Sequence, residues 1–346
     1  LMKNNKNSHK ILVTGASGYL GVHCLVELLK AGYFVRGTLR NLSDESMLRE
    51  IIEKEIDITN NLEFCELDIT EDQHWESVMK DCYYVLAIAT PSSTLKYSQP
   101  DELISITQSS ILKLLKTAKE VGIKRVTLIS SQVTVTYGHD NKNKIYNESD
   151  WTNLNSPSLD QYIRSRTISE KMAWQFINSQ ENKTLELCTI HPGFIVGPLL
   201  HNEIRGISAK KFKSIFTKRI FLFPNRYVNY VDVRDIAKLQ VAAIKSDLVS
   251  GKRLLCISSN PISFNEISSI LKKEGYRFFI FVIPDFLIKF LGLFSKRFKQ
   301  MSYLLNRKMI VDNSETKDLL DWKQTPIEVS IRDMANSITK ILNLEK

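Results

Sequence analysis

Hydrophobic positions along this chain fall into short unbroken runs, separated by longer stretches in which they recur with helical period. The first run, Ile11-Leu12-Val13, carries no polar alternation, which suits a parallel strand covered on both faces. Leu20, Cys24, Leu25, Leu28 and Leu29 then share one face of a helix. The rhythm repeats. Strands are expected over 33–39, 62–67, 83–89, 125–130 and 185–190, with helices over 101–121 and 160–179. Such alternation predicts an α/β fold, a doubly wound parallel sheet with helices on both faces. From Pro192 onward helices predominate among strand-like runs at 253–257 and 278–282, as in a smaller, mostly helical C-terminal lobe.

Between the first strand and the first helix stand Gly15, Gly18 and Gly21 at three-residue spacing. Strand, glycine turn and helix in that order suit a dinucleotide pyrophosphate. Glycines let backbone N–H groups approach the phosphates, and the helix N-terminus adds partial positive charge. The fold expected is therefore Rossmann-type, and Gly15, Ser17, Gly18, Tyr19, Leu20 and Gly21 are the expected phosphate loop. The chain reads as a disordered N-terminal tail over 1–9, a dinucleotide-binding domain over 10–192, and a substrate-binding lobe over 193–346 with some elements returning to the first domain. At the end of the second strand, where NAD-specific folds carry an acidic residue for the ribose 2′-hydroxyl, this sequence has Arg40. A guanidinium grips a 2′-phosphate that a carboxylate would repel, so NADPH/NADP+ is expected ahead of NADH. Asp68 and Ile69, past the third strand, are expected beside the adenine. Ala87, Ala89 and Thr90, small residues at the end of the fourth strand, would let the cofactor lie close.

Composition narrows the picture further. The net charge of +9 is dispersed among acidic residues, and the densest basic run, 210–219, reads as a solvated helix face; nucleic acid is not an expected partner. A basic surface also helps attract an anionic cofactor. Five scattered cysteines without metal-ligand spacing read as buried thiols in a reducing compartment, so no metal and a cytoplasmic location are expected. No stretch is long and apolar enough for a transmembrane helix. The apolar run 278–294 is expected to pack in a core or domain interface, ahead of docking on a membrane surface or lining a substrate entrance.

The candidate chemistry lies at the fifth strand and the helix after it. Ser130-Ser131 ends the strand, and Tyr162 and Arg166 stand four apart on one helix face. A carbonyl that receives a hydride must also receive a proton. A tyrosine hydroxyl supplies it when a nearby cation favours its ionised form and a serine hydroxyl steadies the substrate oxygen.

With Gly15-x-x-Gly18-x-x-Gly21, Asp68-Ile69, Ser130-Ser131 and Tyr162-x-x-x-Arg166 assembled, the chain resembles the extended short-chain dehydrogenase/reductase family (the NAD-dependent epimerase/dehydratase superfamily), and within it the dihydroflavonol-4-reductase-like subgroup. The segments Gly122-Ile123-Lys124-Arg125-Val126, His191-Pro192-Gly193-Phe194-Ile195-Val196-Gly197-Pro198 and Val231-Asp232-Val233-Arg234-Asp235 carry the same likeness. The resemblance implies Ser131, Tyr162 and Arg166 as catalytic residues, with Arg166 in the place of the family's catalytic lysine, and Tyr162 and Arg166 as cofactor-binding residues too. It also puts Pro192, Gly193 and Ile195 beside the nicotinamide. Three positions depart from the pattern: Arg166 replaces the lysine, Ser109 falls where a supporting asparagine is usual, and Ala87 falls near a usual histidine.

The function expected is NADPH-dependent reduction of an aldehyde or ketone to an alcohol by a monomer or homodimer acting on a small-molecule carbonyl substrate. Two alternatives stand beside it. One is a catalytically impaired NADP(H)-binding sensor or partner-binding protein. The other is a sterol-type dehydrogenase or a sugar-nucleotide epimerase/dehydratase.

Overall fold

The computed structural model describes residues 9–58, 60–91, 101–141, 143–181, 184–216, 220–276 and 279–344. Its frame is a seven-stranded sheet made of β1 (Lys10–Thr14), β2 (Phe34–Leu39), β3 (Leu62–Glu66), β4 (Cys82–Ala87), β5 (Arg125–Ile129), β6 (Glu186–Pro192) and β7 (Arg253–Cys256). The spatial order is β7-β6-β5-β4-β1-β2-β3, and β1 to β6 pair in parallel. The strand order reverses between β1 and β4, which is where a doubly wound sheet opens a crevice for a ligand. At that point Thr14 faces Ala87 in register, and its hydroxyl oxygen accepts the N–H groups of Ile88 and Ala89, each at 3.1 Å.

The expected strands and helices are found within one or two residues of the predicted ends. Between the strands run α1 (Tyr19–Lys30), α2 (Glu45–Glu53), α3 (Trp75–Met79), α4 (Glu102–Glu120) and α5 (Gln161–Asn178). Helix α4 buries Leu103, Thr107, Ile111, Leu114, Leu115 and Ala118 on one stripe, as its periodicity requires. Leu12, Val85, Val126 and Leu187 from four strands join Trp75, Met79 and Leu115 in a single core cluster. Each fully buried side chain of this kind contributes about 1.5–3 kcal/mol.

The chain forms two compact units, each assembled from three segments. Unit 1 holds residues 1–130, 165–190 and 236–254; unit 2 holds 131–164, 191–235 and 255–346. The residues expected in a tail over 1–9 lie, except for His9, outside the described residues. The strand-like run at 253–257, read as part of the C-terminal lobe, supplies β7 at the edge of the main sheet beside β6. Its four residues look the same in sequence whichever sheet they join, so only the tertiary pairing assigns them. The helices α2 and α3 were not among the expected elements; both are short.

Unit 2 contains two-stranded pairings and helices. Phe194–Val196 pairs in parallel with Tyr230–Asp232, Ile145–Tyr146 with Ile310–Val311, and Ile220–Pro224 with Phe279–Ile283. Its helices are α6 (Ile207–Phe216), α8 (Phe264–Lys273), α9 (Asp285–Leu291), α10 (Lys296–Ser302), α11 (Ser314–Leu320) and α12 (Ile327–Leu342), while α7 (Val233–Lys245) runs on into unit 1. A capping box between Ser263 and Glu266 starts α8. Asp232, fully buried, takes the Arg234 guanidinium at 2.8 and 2.9 Å and the Ser330 hydroxyl at 2.7 Å. Burial alone would raise its carboxyl; those bonds and the arginine charge outweigh it and hold the group below the usual carboxylate range.

Two expectations about surface residues have different outcomes. On α6, Lys210 and Lys211 are exposed while Phe212 is buried, as a solvated face requires; residues 217–219 of that basic run lie outside the described residues. Over 281–294, the described side chains of the apolar run 278–294 do not pack as a core. Ile288 is its buried residue in α9, whereas Phe286, Phe290, Leu293 and Phe294 are each more than half exposed. Apolar periodicity reports a face and not what covers it.

Candidate cofactor and catalytic site

In unit 1 the glycine loop follows β1 directly. Gly15 sits in the left-handed region at φ +71°, and a Cβ there would lie 3.0 Å from the Ala89 side chain. Its N–H donates to the Thr38 hydroxyl at 3.2 Å, and the Ala16 N–H donates to the Thr38 carbonyl at 3.1 Å. A Cβ at Gly21 would stand 2.2 Å from the Gly15 carbonyl oxygen, so α1 lies against its own loop with no room for a side chain. Gly18 is the N-cap of α1 in extended conformation, and no acidic residue occupies the first turn. The backbone therefore brings the positive end of α1 to a loop bare of side chains at its three glycines, which fits a pyrophosphate. Ser17 is half-buried there, and Tyr19 and Leu20 are buried under the first turn.

The tightness of this loop gives a first prediction. Gly21→Ala forces a methyl group into backbone, an overpacking that costs about 1–3 kcal/mol. A lower melting temperature together with weaker nucleotide binding, by thermal melt and fluorescence titration, is the expected result.

Arg40 is exposed just past β2. Asp68 follows β3 and accepts the Thr70 N–H at 2.9 Å and the Thr70 hydroxyl at 2.7 Å. Partial burial pushes the Asp68 carboxyl up, but the two Thr70 bonds and the nearby Arg40 charge hold it below the usual range. Arg40 and Asp68 are thus electrostatic neighbours at the ends of adjacent strands. Ile69 packs partly against the core, Ala87 is buried within it, and Ala89 and Thr90 stay half-buried on the loop after β4. Residues 92–100, which follow on from this loop, lie outside the described residues.

Arg166, on α5, is buried at 8 % exposure. Its Nη2 donates to the Ile129 carbonyl at the end of β5, at 2.5 Å. Its Nε and Nη1 have no hydrogen-bond partner among the described residues. Buried donors of a charged group cost free energy when left unpaired. A ribose with its two hydroxyls supplies the missing acceptors, so the arginine fits a nicotinamide nucleotide.

One turn on, Glu170 is buried at 1 % exposure and accepts the Ser130 hydroxyl at 2.5 Å, Arg253 Nε at 2.8 Å, Trp174 Nε1 at 3.3 Å and the Thr189 hydroxyl at 3.4 Å. It thereby fastens α5 to the residue after β5, to the middle of β6 and to the start of β7, and so sets where Arg166 stands. Sequence reading did not single it out as functional, although its place four residues after Arg166 puts it on the same helix face. Ser109 is exposed on α4; the buried hydroxyls of that helix are Thr107 and Ser110, and Thr107 accepts the Ser165 hydroxyl at 3.1 Å.

Unit 2 carries Ser131 and Tyr162. Ser131 caps the short turn Gln132–Thr134, its Oγ accepting the Val133 N–H at 3.4 Å. A hydroxyl that accepts one bond through its oxygen still has its hydrogen to donate. Tyr162 stands in the first turn of α5 with 37 % exposure, its hydroxyl-bearing ring available to a substrate. Asp160 accepts the Ile163 N–H at 2.8 Å and so fixes that turn. Tyr137 lies in the electrostatic neighbourhood of Tyr162; burial raises its phenol, and Arg226, which donates a hydrogen bond to it, works the other way.

A buried asparagine ties this region together. Asn229 accepts the Gln132 side-chain amide at 2.7 Å and donates to the carbonyls of Ser258 at 2.9 Å and Met309 at 3.0 Å. Its own carbonyl accepts the Phe194 N–H at 2.8 Å, and a Cβ on Gly193 would lie 2.7 Å from it. One residue thus holds the neighbour of Ser131 and the Pro192-Gly193 turn. Pro192 is buried, while Gly193 and Ile195 are half-buried. No local sequence signal marks Asn229. Among the described residues there is no cluster of metal-ligating side chains, and no helix is long and apolar enough to cross a membrane.

Comparison with known proteins bears on these two sets of residues together. The profile of the NAD dependent epimerase/dehydratase family matches residues 11–255. Tetraketide alpha-pyrone reductase 1 of Arabidopsis thaliana is 30 % identical over 76 % of this chain and 80 % of its own length. Dihydroflavonol 4-reductase of the same plant is 26 % identical over 97 % of this chain and 88 % of its own. In fold the chain is similar to the crystal structure of yeast methylglyoxal/isovaleraldehyde reductase Gre2 complexed with NADPH, with a TM-score of 0.77 at 22 % identity over 96 % of this chain and 99 % of that one. The chain belongs to the NAD dependent epimerase/dehydratase family, in its dihydroflavonol-4-reductase-like subgroup.

Proposed function

We propose that this protein is an NADPH-dependent carbonyl reductase that converts an aldehyde or ketone to an alcohol. The observation that carries the reading is Arg166, a buried guanidinium with two unpaired donors, one helical turn from the accessible Tyr162. The reductase activities of the relatives, and the NADPH held by the structural neighbour, support it.

When bound, NADPH supplies the hydride that reduces the carbonyl carbon. The loop Gly15 to Gly21 and the N-terminus of α1 hold the pyrophosphate. Arg40 holds the 2′-phosphate, and Asp68 and Ile69 lie by the adenine. Arg166 holds the nicotinamide ribose, with Pro192, Gly193 and Ile195 beside the nicotinamide. Ser131 donates a hydrogen bond to the substrate oxygen, and Tyr162 donates the proton that completes the alcohol. Five cysteines, all free, and the absence of any metal-site spacing fit a reducing compartment, and we place the protein in the cytoplasm as a monomer or homodimer.

The test is a fluorescence titration with NADPH and NADH, followed by NADPH oxidation against a panel of aldehydes and ketones. NADPH is expected to bind more tightly than NADH. Arg40→Asp should remove a charge-assisted contact of about 1.5–3 kcal/mol and reverse that preference. If neither nucleotide binds, the proposal falls.

A further inference from the structure

Helix α9 and the residues after it present an apolar face to solvent. Phe286, Phe290 and Phe294 recur every four residues and are 72 %, 56 % and 77 % exposed, with Leu293 beside them at 76 %. Phe290 and Phe294 meet edge to face at 5.5 Å, so the rings form one patch. Ile288, fully buried, anchors the helix from its other side. Phe281 on the adjoining strand Phe279–Ile283 is also more than half exposed. A patch of this kind is unusual on a free surface and marks an interaction site.

The charge around the patch says what covers it. Residues 285–308 contain Lys289, Lys296, Arg297, Lys299, Arg307 and Lys308 against a single acidic residue, Asp285, which is itself occupied as the acceptor of an Asn306 hydrogen bond. Lys289, Lys296 and Lys299 are exposed. A second copy of this chain seated symmetrically on the patch would bring the same basic rim against itself. An anionic surface would instead satisfy both features, with aromatic rings entering the headgroup boundary and lysines reaching the headgroups.

We infer that the α9 face docks this protein on an anionic lipid bilayer surface. The rings of Phe286, Phe290 and Phe294 and the Leu293 side chain insert, and Lys289, Lys296 and Lys299 pair with lipid phosphates and carboxylates. The helix lies on the membrane and does not cross it. This inference is independent of the cofactor reading, because it uses none of the same residues.

The test is flotation of the full chain with phosphatidylcholine vesicles, with and without phosphatidylserine, at low and high salt. The protein is expected to float with the phosphatidylserine vesicles, to remain in solution with phosphatidylcholine alone, and to be released by salt. Phe286→Ser with Phe294→Ser, and separately Lys289→Glu with Lys296→Glu, should each lower vesicle partition by about tenfold or more while thermal melts stay unchanged. No flotation at low salt overturns the inference, as does equal flotation of the phenylalanine variant. A concentration-dependent dimer in sedimentation that the phenylalanine variant abolishes also overturns it, and assigns the face to a second copy of the chain.

Discussion

Tyr162→Phe is expected to lower turnover by about 10²–10⁴-fold while changing NADPH affinity far less, because it removes the proton donor and only one of many expected cofactor contacts. The substitution deletes one oxygen from a ring that is 37 % exposed, so no core packing is lost and a melting curve should be unaffected. The Asp160 bond to the Ile163 N–H that holds this turn is likewise untouched. Steady-state kinetics with the best carbonyl from the panel, beside a nucleotide titration, separates the two effects. Turnover equal to that of the parent chain would move the proton to another group and end the assignment.

Arg166→Met carries the second large effect. It removes the donor to the Ile129 carbonyl and both donors left for a ribose, while roughly keeping the volume of the buried stem. Loss of a charged hydrogen-bonding group costs about 1.5–3 kcal/mol, so NADPH affinity should fall by about 10- to 150-fold, with a further loss in turnover. Arg166→Lys separates the roles of the residue. Lysine restores a single compact cation, without the planar fork that reaches Ile129 and the ribose together. If the arginine impairs an otherwise complete site, the lysine variant turns over faster than the parent. If both forms bind NADPH and neither oxidises it against any carbonyl, the chain is a nucleotide-binding protein without reductase activity.

The glycine loop and the strand–helix alternation were legible because each is a local pattern: a period, a spacing, a residue type forced by backbone geometry. Gly21 is such a case, since nothing larger fits 2.2 Å from a carbonyl oxygen. What escaped was non-local. Asn229 acts through Gln132, 97 residues away, and Glu170 through Arg253, 83 residues away; neither pairing leaves a mark along the chain. The strand at 253–256 carries no sign of which sheet it joins. The phenylalanines of α9 show the converse: their helical period is plain, but whether protein covers that face is decided by residues elsewhere.

The late position of β7 in the chain has a consequence for synthesis. A ribosome releases β1 to β6 and their helices well before Arg253–Cys256 emerges, so the nascent sheet carries β6 as an unprotected edge through more than sixty further residues of translation. An open parallel edge is a template for pairing with another chain. A gene fragment stopped at residue 192 would freeze that intermediate and yield aggregate in place of a small nucleotide-binding domain, whereas one that continues through β7 and α7 would close the edge.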